Sequence, residues 1–166
     1  MKMGMTDESV ALAALNDIYE RRYARFLRVA EAIVGDADVA RDVVQDAFVR
    51  LIRSRRRFRG EGSLDGWVWR TVVNTARNVR RDASKHRAND PSVEPTATNG
   101  LAVDAGIRAL LATLPERQRL VLFLRYYADL DYRSIAEVLE IQTGTVGATL
   151  NQAHSAMKRL LKEVPQ

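Results

Sequence analysis

An all-α fold of two small helical domains joined by a flexible linker is what this sequence predicts, and three observations predict it. Apolar residues return at three- and four-residue steps through residues 8–82 and again through residues 105–164, which is the period of an amphipathic helix. Nowhere does apolar alternate with polar over the length of a strand, so no sheet is expected. Between the two blocks, residues 83–104 read "ASKHRANDPSVEPTATNGLAVD", with Pro91, Pro95 and few apolar side chains. About 20 residues of that composition suffice to join two separate domains.

Each element has its own signal. Leu12, Leu15, Ile18, Tyr19, Phe26, Ala30 and Ile33 form the apolar stripe of a first helix. Gly35 is placed to end it and Asp36 to cap the next. Val39, Val43, Ala47, Leu51 and Ile52 line one face of that second helix. The glycines of "FRGEGS" break the period, and Ser63 is a natural N-cap for a third helix running to about Arg81. Val68, Val72, Thr75 and Val79 are its core side. After the linker, Leu110, Leu111 and Leu114 precede Pro115, and Leu120, Val121, Phe123 and Leu124 follow it. A tight break near Glu140 then separates two short helices. Ile135, Ala136 and Leu139 point inward from the first, Ile141 sits in the turn, and Thr143 or Thr145 caps the second, with Val146 and Leu150 facing back.

Composition narrows the function classes. Lys and Arg outnumber Asp and Glu 26 to 21 over 166 residues, and the sequence pI is about 9.9, which suits an anionic partner. Residues 1–82 hold 16 basic against 12 acidic side chains and residues 105–166 hold 8 against 6, so the first block is the more basic. "RLIRSRRRFR" places six Arg within positions 50–59 and no acid. Without cysteine there is no disulfide, thiolate nucleophile or cysteine metal site. The N-terminus turns acidic too early for a signal peptide, and no window approaches about 18 uninterrupted apolar residues, so a cytoplasmic protein is expected. His86 and His154 lack ligand spacing and Ser63 reads as a cap, so no enzyme and no cofactor are expected. Asp36, Asp38, Asp42 and Asp46 have the spacing of a solvated or partner-binding helix face rather than a metal site.

Two constellations point to DNA. Trp67, Arg70, Asn74, Arg77 and Arg81 step by three and four along one face of the third helix. Aromatic and guanidinium planes on which bases stack, with cations for phosphates, are the chemistry that holds single-stranded DNA; the alternative is a solvated basic face with Trp67 half-buried as packing. The second is the helix pair from Tyr132 onward, whose spacing suits a helix-turn-helix, the alternative being an ordinary αα-hairpin. Its second helix, "QTGTVGATLNQAHSA", offers Gln142, Thr143, Thr145, Ala148, Thr149, Asn151, Gln152 and His154 to base edges but no Lys or Arg between Arg133 and Lys158. Amides can pair with adenine and methyls can touch thymine, yet the counterion-release term is nearly missing. Phosphate grip falls to Arg117, Arg119, Arg125, Arg133, Lys158, Arg159 or Lys162, and weak binding by this domain alone is expected.

These blocks, in this order, resemble a bacterial sigma factor of the extracytoplasmic-function (ECF, group IV, sigma-70 superfamily) type over nearly the whole chain. "DVVQDAFVRL" is similar to the family's region 2 helix, "FRGEGSLDGWVWRTVVNTARN" to its promoter-melting segment, and "LPERQRLVLFLRYYADLDYRSIAEVLEIQTGTVGATLNQA" to its region 4. The resemblance implies a region 2 bundle at residues 8–82, a linker at 83–104 and a region 4 helix-turn-helix at 105–164. It implies that Asp42, Gln45, Asp46, Phe48 and Leu51 dock on RNA polymerase core. Arg59, Gly60, Ser63, Trp67, Arg70, Asn74, Arg77 and Arg81 would melt and capture the −10 element. Arg133, Thr143, Thr145, Val146, Ala148, Thr149, Asn151, Gln152 and Lys158 would serve the −35 element. The implied partners are the β′ clamp and β flap of core polymerase, promoter DNA and an anti-sigma factor, with no metal or membrane insertion. Where the family usually shows "GTVKSRLHRAR", Gly147 takes the Lys place and Thr149, Gln152 and His154 take Arg places. Glu140 stands where Gly is common, and Asn78 where Asp is frequent. The competing function is a helix-turn-helix regulator that works without core polymerase.

Overall fold

The computed structural model describes residues 7–58, 62–89 and 105–163. The described residues form seven α-helices and no strand, so the all-α expectation holds. They divide into two compact units, residues 1–98 and 99–166. Arg59, Gly60 and most of the expected linker, residues 90–104, lie outside the described residues.

In the first unit α1 (Asp7–Val34), α2 (Ala37–Ser54) and α3 (Leu64–Asn89) pack against one another in all three pairings. Gly35 ends α1 with φ +82°, a left-handed backbone that costs glycine nothing. Asp36 then caps α2, its carboxylate accepting from the N–H groups of Asp38 and Val39 at 2.8 and 2.9 Å. Ser63 starts α3, its hydroxyl accepting from Gly66 N–H at 2.9 Å. The core is a chain of aromatic rings: Tyr19 meets Phe48 edge-on, Phe48 leans on Phe26, and Phe26 lies 4.5 Å from Trp69. Around them Leu15, Val29, Val43, Leu51, Val68 and Val72 are fully enclosed. Arg22 joins α1 to the first turn of α3 through Asp65 at 3.2 Å.

Some expectations change. Leu12, Val39 and Ile52 are 44, 36 and 38% exposed, because the buried face of each helix is narrower than its apolar stripe. The third helix passes Arg81 and continues to Asn89. Residues 83–89, expected to begin the linker, contain no Gly or Pro, and the Ser84 hydroxyl bonds back to the Arg80 carbonyl at 2.9 Å, so nothing stops the helix before Pro91.

The second unit joins α4 (Ala105–Thr113), α5 (Glu116–Tyr126), α6 (Tyr132–Leu139) and α7 (Thr143–Glu163), with α7 packed on the other three. Pro115 opens α5. The Arg119 guanidinium closes that corner by donating to the carbonyls of Ala112 and Leu114, both at 2.8 Å. Val138 is buried in α6 while Leu139 is only partly covered, so the inward face is rotated slightly from the expected one. Helix α7 starts at Thr143, one residue early for a threonine cap; the Gln142 carbonyl accepts from Thr145 N–H at 2.9 Å and from Val146 N–H at 3.3 Å.

Glu140 ends α6 at φ +55°, ψ +46°, while Ile141 N–H closes the turn on the Ala136 carbonyl at 3.0 Å. A side chain there strains the backbone, by about 1 kcal/mol or somewhat more. Glu140→Gly is therefore expected to raise the stability of this unit by about 1 kcal/mol, read as a higher urea midpoint at constant m-value. A lower midpoint would mean that the glutamate side chain contributes more than its backbone costs.

Candidate nucleic-acid interface

Helix α3 delivers the basic–aromatic stripe. Trp67 and Arg70 are half-buried; Asn74, Arg77 and Arg81 are exposed. Val68, Val72 and Thr75 point the other way into the core, as the helical period requires. The Trp67 indole is not alone: Phe58 stacks on it with centroids 5.3 Å apart and planes 30° from parallel. Phe58 directly follows the 3-10 turn Arg55–Arg57, so this contact sets the arginine-rich turn beside the stripe. Helical period alone does not single out Phe58, although an aromatic next to "RGEGS" and nine residues before Trp67 is a signal for it. Ser63 serves as the cap that starts the helix rather than as part of the stripe. Arg81 is held one turn back by the Asn78 side-chain oxygen.

On α2 the outward face carries Asp42, Gln45 and Asp46, all exposed. Asp46 pairs with Arg50 at 2.8 Å, and Asp38 with Arg41. Two residues expected on this docking face are not there. Leu51 is 0% exposed and Phe48 7%, the latter enclosed between Tyr19 and Phe26; both build the core. Val39, Val49 and Ile52 stand in their place, 36, 42 and 38% exposed. The α2 surface therefore combines apolar side chains with acids, two of which pair with the exposed Arg41 and Arg50.

In the helix-turn-helix, Thr143, Ala148, Asn151, Gln152, Arg133 and Lys158 are exposed, and Thr145 is half-buried. Two expected contacts are corrected. Val146 is fully buried, and Thr149 is 6% exposed with its hydroxyl donating to the Thr145 carbonyl at 2.7 Å; both face the core of the unit rather than a base edge. The cations thin out as well. Arg119 is committed to its corner, and Arg125 donates to the Leu130 carbonyl at 3.1 Å and faces Asp129 at 3.8 Å. The Asp131 carboxylate caps α6 by accepting from Ser134 N–H at 2.7 Å, and that bond holds its pKa below the usual carboxylate value. The stability it adds is present above the ordinary carboxylate pKa and is lost as acid titrates it through its depressed value.

Relatives agree on both units. Residues 18–86 match the family model for Sigma-70 region 2, and residues 105–157 the model for Sigma-70, region 4. The chain is 28% identical to the RNA polymerase sigma-H factor of Pseudomonas aeruginosa over 156 residues, covering 83% of this chain and 81% of that one. It is 27% identical to the RNA polymerase sigma factor SigV of Bacillus subtilis, covering 98% of each. It is also 27% identical to the ECF RNA polymerase sigma-E factor of Escherichia coli K12, covering 87% of this chain and 84% of that one. Among solved structures, its fold is similar to CnrH bound to the cytosolic domain of CnrY, with a TM-score of 0.71 and 19% identity over 95% of this chain and 96% of that one. The sigma factor RpoE bound to the anti-sigma factor NepR from Bartonella quintana gives a TM-score of 0.66 and 19% identity over 90% of this chain and 99% of that one. With both regions matched in order on the expected helices, the chain belongs to the sigma-70 family of RNA polymerase sigma factors, in its ECF group.

Proposed function

We propose that the two units divide promoter recognition, and that neither suffices alone. The α3 stripe captures the single-stranded −10 element, α7 reads the −35 duplex through Thr143, Ala148, Asn151 and Gln152, and the face of α2 that carries Asp42, Gln45, Asp46 and the exposed valines docks on core polymerase. The observation that carries this is the uneven distribution of chemistry: cations and Trp67 on α3 with Phe58 stacked on it, amides, hydroxyls and methyls on the first turns of α7. Bases stack on the first kind of surface, and base edges are read by the second. Polymerase joins the two weak contacts and supplies effective concentration without any new interface. A regulator independent of core would need tight duplex binding from α7, whose first four turns, up to Lys158, carry no Lys or Arg, and that works against it. The expected role is that of a cytoplasmic initiation subunit without catalytic chemistry of its own. Since RpoE and CnrH are found in complexes with NepR and CnrY, an anti-sigma factor is proposed as the regulator.

Run-off transcription with core enzyme on a promoter library tests the reading directly; failure to initiate on any member would refute it. The docking face has its own test. Asp46→Arg reverses a charge at the centre of the exposed α2 surface and is expected to weaken core binding about tenfold, or about 1.4 kcal/mol. Undiminished co-elution with core would move the docking face elsewhere.

A further inference from the structure

One surface contact of the second unit is not accounted for by this division of promoter recognition. Tyr126, in the last turn of α5, is 61% exposed. Its hydroxyl lies 2.9 Å from Nε2 of His154 in the middle of α7, and the two ring centroids are 6.0 Å apart. His154 stands three residues after Asn151 and four before Lys158, so it shares their strip of the helix. Higher on the same strip, Gly147 lies under the Tyr132 ring: a Cβ built on this glycine would meet Tyr132 Cε2 at 3.6 Å. Two exposed tyrosines thus border the recognition helix along the stretch that lacks cations.

The hydrogen-bond inventory of the pair leaves a donor over. A phenol has one O–H, and a neutral imidazole has one N–H and one accepting nitrogen. If Tyr126 donates to Nε2, the Nδ1–H of His154 remains. If Nε2–H donates to the phenol oxygen, the Tyr126 O–H remains. Either tautomer keeps one N–H or O–H for an outside acceptor. The neighbouring acids are engaged locally, Asp129 with Arg125 and Asp131 with Ser134 N–H. A hydrogen bond between two exposed side chains adds little net stability once their ordering is counted, so folding alone gives weak reason for it. We propose that Tyr126 and His154 form a hydrogen-bonding phosphate-contact pair that holds the duplex backbone beside α7, an inference that rests on the sigma-factor reading. Such a contact needs no Lys or Arg, so its removal is expected to change the salt slope of the closed complex less than the loss of one such cation would.

The test is closed-complex formation by the full chain with core polymerase over a range of salt, on a promoter recovered from the run-off library. Tyr126→Phe keeps the ring and removes the hydroxyl; it is expected to weaken the closed complex about threefold to tenfold. His154→Ala should do the same, and the double variant should be about as weak as the worse single one, because the two act as a unit. His154→Arg should bind at least as tightly as wild type and steepen the plot of log K against log salt by about one. Closed complexes unchanged in both single variants would overturn the pair. So would an equal loss on a fork template that keeps the −10 region but lacks the upstream duplex. A wild-type protein unable to initiate on any promoter overturns the sigma reading and this pair with it, whereas a wild type that initiates alongside two silent variants overturns the pair alone.

Discussion

Replacing Arg70 and Asn74 together with alanine is expected to slow promoter opening by about ten- to a hundredfold, while closed-complex formation changes by less than about threefold. A base stacked or held on such a surface is worth about 1–3 kcal/mol, and each 1.4 kcal/mol is about a factor of ten. The asymmetry between the two steps follows from what each presents. In the closed complex the −10 bases are paired and stacked inside the duplex, with only phosphates open to α3. Once a strand separates, its bases can lie against Trp67, Arg70 and Asn74, which occupy successive turns of one face. Contacts available only after melting lower the barrier to melting without strengthening the complex that precedes it. Permanganate reactivity of unpaired thymines, followed in time, reads opening; filter binding at low temperature reads the closed complex. Equal losses at both steps would assign the stripe to duplex phosphates instead.

Much of this architecture is legible in the amino-acid sequence itself. The breaks at Gly35 and Glu140, the caps at Asp36 and Ser63 and the shared face of Trp67, Arg70, Asn74, Arg77 and Arg81 follow from local rules of period and turn chemistry. Exposure is far less legible. A motif match carries over positions without saying which of them face a partner. Phe48, Leu51, Val146 and Thr149 sit inside the matched motifs, yet they close the cores that hold their neighbours in place. The reverse error concerns Val39 and Ile52, whose apolar character suggests burial but which lie on the open side of α2. Contacts between distant positions are not legible at all. Tyr126 and His154 are 28 residues apart, and only the packing of α5 on α7 brings them together.

The same distinction explains why the recognition helix needs so little charge. Arg119 and Arg125 look like phosphate ligands in the sequence, but their guanidinium groups tie turns to carbonyls within the unit. Arginine there maintains the shape of the helix-turn-helix. On the proposed reading the grip on phosphates is left to the exposed Arg117, Arg133, Lys158, Arg159 and Lys162, to the other unit and to the polymerase that joins the two, and the −35 contact chooses promoters more than it holds them.

Trp67→Ala and Trp69→Ala, two residues apart, are expected to fail in opposite ways. Two steps along a helix turn a side chain by about 200°, so one tryptophan faces out and the other in. Trp69 is 0% exposed and ends the aromatic chain through Phe26. Its removal leaves a large cavity, and the expected loss is about 3–5 kcal/mol. That is a large share of the stability of a small domain, whose total is about 5–15 kcal/mol. The first unit should then melt many degrees lower, with the second unit's transition unchanged, since the two have separate cores. Trp69→Phe should be far milder, because the buried indole N–H has no acceptor among the described groups and its loss removes a penalty. Trp67 is half-buried and stacks on Phe58. Trp67→Ala should cost less than about 1.5 kcal/mol of stability yet slow promoter opening about tenfold or more. Calorimetry of the full chain and opening kinetics in the holoenzyme separate the two outcomes. A Trp67 variant that melts low but opens promoters normally would make that indole a packing residue and return the role of the stripe to its arginines.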